Sequence, residues 1–105
     1  MDREEALALL KEYTKSEALI RHAMTVEGCM RHFAALAGED ADLWGTVGLL
    51  HDLDYEQYPD KHCVMAREIL SARGVDPVIT RAVVSHGWGI CADVEPVSRM
   101  EKTLY

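Results

Sequence analysis

Apolar residues recur at intervals of three and four along almost the whole chain, the repeat that gathers them on one face of a helix. The clearest stripe is Leu19, Ala23, Val26, Met30, Phe33 and Ala37, which predicts a long helix opening at Ser16 and closing at Gly38. Before it, Asp2 followed three residues later by Glu5 is a capping-box variant, and predicts a short helix through about Tyr13. After it, Asp40 or Asp42 caps a third helix with Leu43, Val47 and Leu50 on its apolar face. That helix runs into His51-Asp52-Leu53-Asp54-Tyr55 and stops before Pro59, because proline disfavours helix in the residue preceding it. Asp60 predicts the cap of a fourth helix, anchored by Ile69 and Leu70 and ended at Gly74. Asp76-Pro77 opens a fifth that reaches Ser85 or His86. Gly87-Trp88-Gly89-Ile90 reads as a loop, and Pro96 as the start of a last helix still running at Tyr105. No window alternates with period two between turn residues. The expected class is all-α, with five to six helices in a single domain over 1–105.

Composition narrows the function. The chain has 105 residues, enough for one domain, and 49% hydrophobic content, enough for a modest core. The formal charge of −7 is spread along the chain, and an acidic surface repels phosphate backbones, so no nucleic-acid partner is expected. A phosphorylated substrate would need a local source of positive charge, which bound metal ions can supply. The start, Met1-Asp2-Arg3-Glu4-Glu5, lacks the basic-then-apolar pattern of a signal peptide, and no apolar run approaches the roughly 18 residues of a membrane helix. Cys29, Cys63 and Cys91 form no CxxC pair and no disulfide framework; free thiols in a reducing cytoplasm fit them best. A cytoplasmic protein with no membrane partner is therefore expected.

The candidate chemistry lies in the histidines. His51 ends an apolar helix four residues after Val47 and should point inward, and Asp52 stands beside it. An imidazole nitrogen and a carboxylate side by side at a helix end can bind a divalent cation. His22 lies beside the stripe of the second helix, His62 two residues past the expected Asp60 cap, and His86 at the end of the fifth helix. Four helices thus each offer a histidine at an inward face or terminus, which is how metal sites in helical bundles are built. Trp44 and Trp88 read as core or pocket lining. Arg21, Lys61, Arg67 and Arg81 read mainly as solvated cations.

The order His22, His51-Asp52, His62, His86, with the strings Ile20-Arg21-His22, Leu49-Leu50-His51-Asp52-Leu53-Asp54-Tyr55 and Val83-Val84-Ser85-His86, resembles the HD superfamily of metal-dependent phosphohydrolases. The resemblance runs from Ser16 onward and implies an HD-type helical bundle. It implies that His22, His51 and Asp52 hold one metal, and that His62 and His86 hold a second with Asp52 bridging. His32 matches no position of the pattern and reads as solvent-facing. One or two divalent ions per chain (manganese, iron, nickel, cobalt or zinc) are the implied cofactors, and a small phosphorylated metabolite or nucleotide is the implied substrate. The implied reaction is hydrolysis of a phosphomonoester or phosphodiester by metal-activated water. Asp52, with Asp54 and Glu56 just past it, would carry the catalytic work, the last two as candidate general acids or bases. The family's last ligand is an aspartate expected just after Glu101-Lys102-Thr103-Leu104-Tyr105, so a C-terminally truncated form, with a tendency to form a homo-oligomer through the exposed end, is also expected. Asp93 lies in the wrong element to replace that aspartate. The alternative is a non-catalytic metal- or ligand-binding domain of the same fold.

Overall fold

A computed structural model of the chain describes residues 2–90, 92 and 94–104. Among these it contains six α-helices and no strand, apart from one isolated bridge between Trp88 and Ala92. The helices are α1 (Arg3–Tyr13), α2 (Glu17–Ala37), α3 (Ala41–Leu50), α4 (Val64–Ala72), α5 (Pro77–Ser85) and α6 (Arg99–Leu104), with a 3-10 turn at Pro59–Lys61. The fold is all-α. No described helix is long and apolar enough to cross a membrane.

Each of the first three helices starts at a side chain that accepts backbone N–H groups. Asp2 accepts from Glu5, Ser16 from Leu19, and Asp40 rather than Asp42 from the amides of Asp42 and Leu43. Gly38 closes α2 at φ 70°, a left-handed conformation that glycine adopts without steric cost. Asp76 caps α5 by accepting from Val78 at 2.9 Å, with Pro77 in the first turn.

The centre of the molecule is α3, whose seven residues from Trp44 to Leu50 are all buried. It packs against α1, α2 and α5. The contact with α2 is close enough to favour glycine: a Cβ on Gly48 would lie 3.0 Å from the Val26 carbonyl oxygen and 3.1 Å from the Glu27 nitrogen, and the backbone of α2 would have to give by a few tenths of an ångström. Leu49 and Leu50 of α3, with Leu53 and Leu70, are completely buried, each contributing roughly 1.5–3 kcal/mol by removal from water.

Three expectations are corrected. The buried face of α2 runs through Ala23, Glu27, Met30 and Ala34, so Phe33 stands 49% exposed. The stripe turns toward Glu27 because this carboxylate is held from two sides, by Arg3 at 2.8 Å and Arg31 at 3.5 Å. Asp60 sits in the 3-10 turn and does not cap α4, whose first helical residue is Val64. Finally, α6 begins at Arg99 and not at Pro96, because Ser98 and Glu101 form a reciprocal cap. The Ser98 hydroxyl accepts from the Glu101 amide at 3.1 Å, while Glu101 accepts from the Val97 and Ser98 amides at 2.8 and 3.1 Å. The expectations for Asp93 and for the helix at Tyr105 lie outside the described residues.

Candidate metal centre

The end of α3 and the turns after it carry the middle of the site. His51 follows the last residue of α3 and is buried, while Asp52 on the next turn keeps 25% of its side chain exposed. The turn is tied back to the start of α2. The Thr14 hydroxyl donates to the Leu53 carbonyl at 3.3 Å, and Glu56 accepts from the amides of Lys15 and Ser16 at 2.6 and 2.8 Å. These bonds set α2, and therefore His22, in register with Asp52.

Four imidazoles meet that carboxylate. Asp52 Oδ2 lies 3.4 Å from His22 Nε2 and 3.2 Å from His51 Nε2. Asp52 Oδ1 lies 3.2 Å from the Nε2 atoms of both His62 and His86. The five residues His22, His51, Asp52, His62 and His86 are thus brought to one place from α2, the α3 end, the turn before α4 and the α5 end. Neighbouring rings pack at centroid distances of 5.1 to 5.2 Å. His32 is exposed elsewhere on α2.

The far side of three rings decides what the near side can do. His51 Nδ1 lies 2.6 Å from the Gly48 carbonyl, and His86 Nδ1 bonds the Val83 carbonyl. His62 Nδ1 lies 2.6 Å from Asp54 Oδ1. Carbonyls and carboxylates only accept, so each Nδ1 must carry the proton and donate it. In the neutral rings, three Nε2 lone pairs therefore face the Asp52 carboxylate, which also only accepts. His62 Nε2 and His86 Nε2 even face one another at 3.2 Å. Acceptors gathered at this range repel unless a proton or a metal cation lies between them.

The electrostatics follow from that crowding. Burial alone would raise the Asp52 pKa, but hydrogen bonds with His51, His62 and His86, which these rings make when Nε2 carries a proton, outweigh it and hold the carboxyl well below its usual range. His62 is pushed up to about 10, first by its bond to Asp52 and then by Asp54, against the opposing effect of burial. Without a metal, a proton on His62 offsets part of the negative charge.

Asp54 and Glu56 depart from the roles expected of them. Asp54 is completely buried. Its Oδ1 receives His62 Nδ1, and its Oδ2 accepts the backbone amides of Cys63 at 2.7 Å and Ala66 at 2.9 Å. It therefore caps α4 from nine residues upstream and orients His62, with both oxygens engaged in these bonds. Glu56 spends both oxygens on the α2 entry described above. His62 likewise sits just before α4 and not within it.

Cys63 was not expected to matter, and its backbone is unusual. It has φ 73° and ψ −45°, near a rare γ-turn that costs a non-glycine residue roughly 1–3 kcal/mol. Nothing in the sequence announces such a turn. One ligand atom each of His62, Cys63 and His86 lie within 4.8 Å of one another, as do those of His22, His51 and Asp52. A cavity of about 670 Å³ opens beside the first group, lined by Cys63, Val64, Val84, Trp88 and Ile90, with Arg67 at its wall.

No family model matches this chain, and no solved structure matches it.

Proposed function

We propose that the protein is a metal-dependent phosphohydrolase of the HD type, cleaving a small phosphomonoester or phosphodiester. One observation carries the reading: three imidazoles with their Nδ1 atoms committed outward turn their Nε2 atoms onto a single carboxylate. That donor set suits a divalent cation, since neutral imidazole and carboxylate are the ligands of zinc, iron, manganese and their neighbours. His22, His51 and Asp52 would hold one ion, and His62 and His86 a second, with Asp52 between them. Such an ion, when bound, supplies a nucleophilic water at neutral pH and offsets charge on the phosphoryl oxygens.

The chain's own residues do the rest. Asp54 fixes the His62 ring and keeps its Nε2 aimed at the centre. The Gly48 and Val83 carbonyls do the same for His51 and His86. The partly exposed Asp52 leaves the centre open to a substrate, whose non-phosphate part would lie against the apolar wall of Val64, Val84, Trp88 and Ile90.

A second reading, a metal-binding domain without turnover, is favoured by the commitment of Asp54 and Glu56 to backbone amides. Metal analysis of the purified chain, followed by panels of phosphomonoesters and phosphodiesters, separates the two. The proposal expects at least one ion per chain and metal-dependent hydrolysis that disappears in Asp52→Ala. Bound metal with no hydrolysis of either class selects the second reading, and a chain that takes up no divalent metal overturns both.

A further inference from the structure

The Cys63 thiol lies beside the two imidazoles of the His62–His86 side. It is 1% exposed, and its sulfur belongs to the group whose ligand atoms all fall within 4.8 Å of one another. Its position is set independently of any metal. The Asp54 carboxylate holds the Cys63 amide at 2.7 Å on one oxygen and His62 Nδ1 at 2.6 Å on the other. One buried carboxylate thus fixes the backbone of Cys63 and the ring of His62 together. The turn has φ 73°, which a glycine would adopt freely, yet a cysteine occupies it with its side chain directed to the imidazole pair and the adjoining cavity.

Resting on the metal-centre reading above, we propose that Cys63 is a further metal ligand, so that the ion on this side is held by His62, His86, Asp52 and a thiolate. On binding, the thiol proton passes to solvent as the sulfur–metal bond forms. A shell of two imidazoles, one carboxylate and one thiolate is suited to a tetrahedral ion of intermediate softness. It favours zinc or cobalt(II) over manganese and magnesium, which prefer oxygen. Among the described residues the His22–His51 side has no sulfur in its group of ligand atoms, so on this proposal the two halves of the centre differ in the metal they select.

The test is a cobalt(II) titration of the full chain, read by absorption. Cobalt bound to nitrogen and oxygen gives weak visible bands, and cobalt bound to thiolate adds an intense charge-transfer band in the near ultraviolet. The wild-type chain should show both. Cys63→Ser and Cys63→Gly should keep the visible bands and lose the ultraviolet one; the glycine variant also suits the backbone and so guards against misfolding. Cys29→Ser and Cys91→Ser should keep both. Zinc affinity on this side should fall by at least about tenfold in the Cys63 variants, the loss that even an orienting neighbour of a ligand produces, with manganese affinity little changed. Visible bands without the ultraviolet band in the wild type, or an ultraviolet band that survives in both Cys63 variants, would overturn the thiolate while leaving the His/Asp centre standing. A chain that binds no cobalt would remove both.

Discussion

Glu27 and Asp52 are both carboxylates withdrawn from water, and they keep opposite company. Glu27, with 6% of its side chain exposed, is gripped by Arg3 at 2.8 Å and by Arg31 at 3.5 Å, and Arg31 also reaches Asp42 at 2.7 Å. Two guanidiniums and two carboxylates balance, so that cluster is complete within the chain. Asp52 has no guanidinium or ammonium within ion-pair range among the described residues; its neighbours are four imidazoles at 3.2 to 3.4 Å. Arginine is always charged and cannot serve as a lone-pair donor, whereas imidazole can be neutral and can ligate. The first cluster ties α1 to α2 and α3. The second offers ligand-type groups in place of fixed positive charge, and under the proposed function that difference separates a structural ion pair from a binding site.

The comparison breaks most readily at Asp52. Replacing it with alanine should lower metal affinity by more than about 100-fold, above the range seen for residues that only orient ligands, while far-ultraviolet circular dichroism stays helical. Equal metal stoichiometry in that variant would show that the carboxylate is no ligand. Asp54→Asn comes next. It should weaken metal binding by roughly 10–100-fold through a misoriented His62, and lower stability by about 0.5–2 kcal/mol through the lost cap, as measured by isothermal titration and denaturant unfolding. A variant that lost stability alone would mean that Asp54 caps α4 and does nothing for His62.

Glu27→Gln should do the reverse. Breaking a fully buried ion pair costs about 3–5 kcal/mol, but Arg3 and Arg31 are partly solvated, so about 2 kcal/mol is expected, with metal affinity unchanged. If metal binding fell with it, the two clusters would be coupled through α2 and the contrast drawn above would fail.

The smallest effect is the pH dependence of the chelator-treated chain, which has two limbs. His62 has a folded pKa raised to about 10, so its contribution is complete below its usual 6.5 and is lost as pH rises through that interval. Asp52 is lowered from its usual 3.8, so its contribution is present above that value and is lost as pH falls below it. Thermal unfolding across pH should show both limbs in the wild type; Asp52→Asn should lose the acid limb and keep a reduced His62 limb, because Asp54 still faces that ring. Metal affinity should rise with pH over the His62 interval, because the ion must displace its proton.

Much of this was legible in the chain itself. Asp2, Ser16, Asp40 and Asp76 are local caps, and a local hydrogen bond leaves a local signature. His51 and His86 follow the ends of α3 and α5, as the apolar phase of those helices predicts, whereas His22 lies inside α2 and His62 precedes α4. What escaped depends on contacts distant in sequence. Periodicity placed an apolar stripe on α2 but could not show that Arg3 and Arg31 would draw Glu27 under and leave Phe33 in water. The capping role of Asp54, expected only as a candidate acid or base, had no local signal because both amides it accepts lie nine or more residues ahead. The start of α6 was available: Ser98-Arg99-Met100-Glu101 matches a capping box, a stronger signal than the proline that precedes it. The strained turn at Cys63 left no trace, since nothing local demands a positive φ from a cysteine.

The most direct measurement is nitrogen-15 NMR of the imidazole side chains during a zinc titration, because it reads which ring nitrogen carries the proton. His51, His62 and His86 should each keep their proton on Nδ1, and their Nε2 resonances should move to metal-bound positions as zinc is added, with His62 losing its Nε2 proton in the process. Protons found on Nε2 of these rings, unmoved by zinc at stoichiometric concentration, would contradict a metal centre built around Asp52.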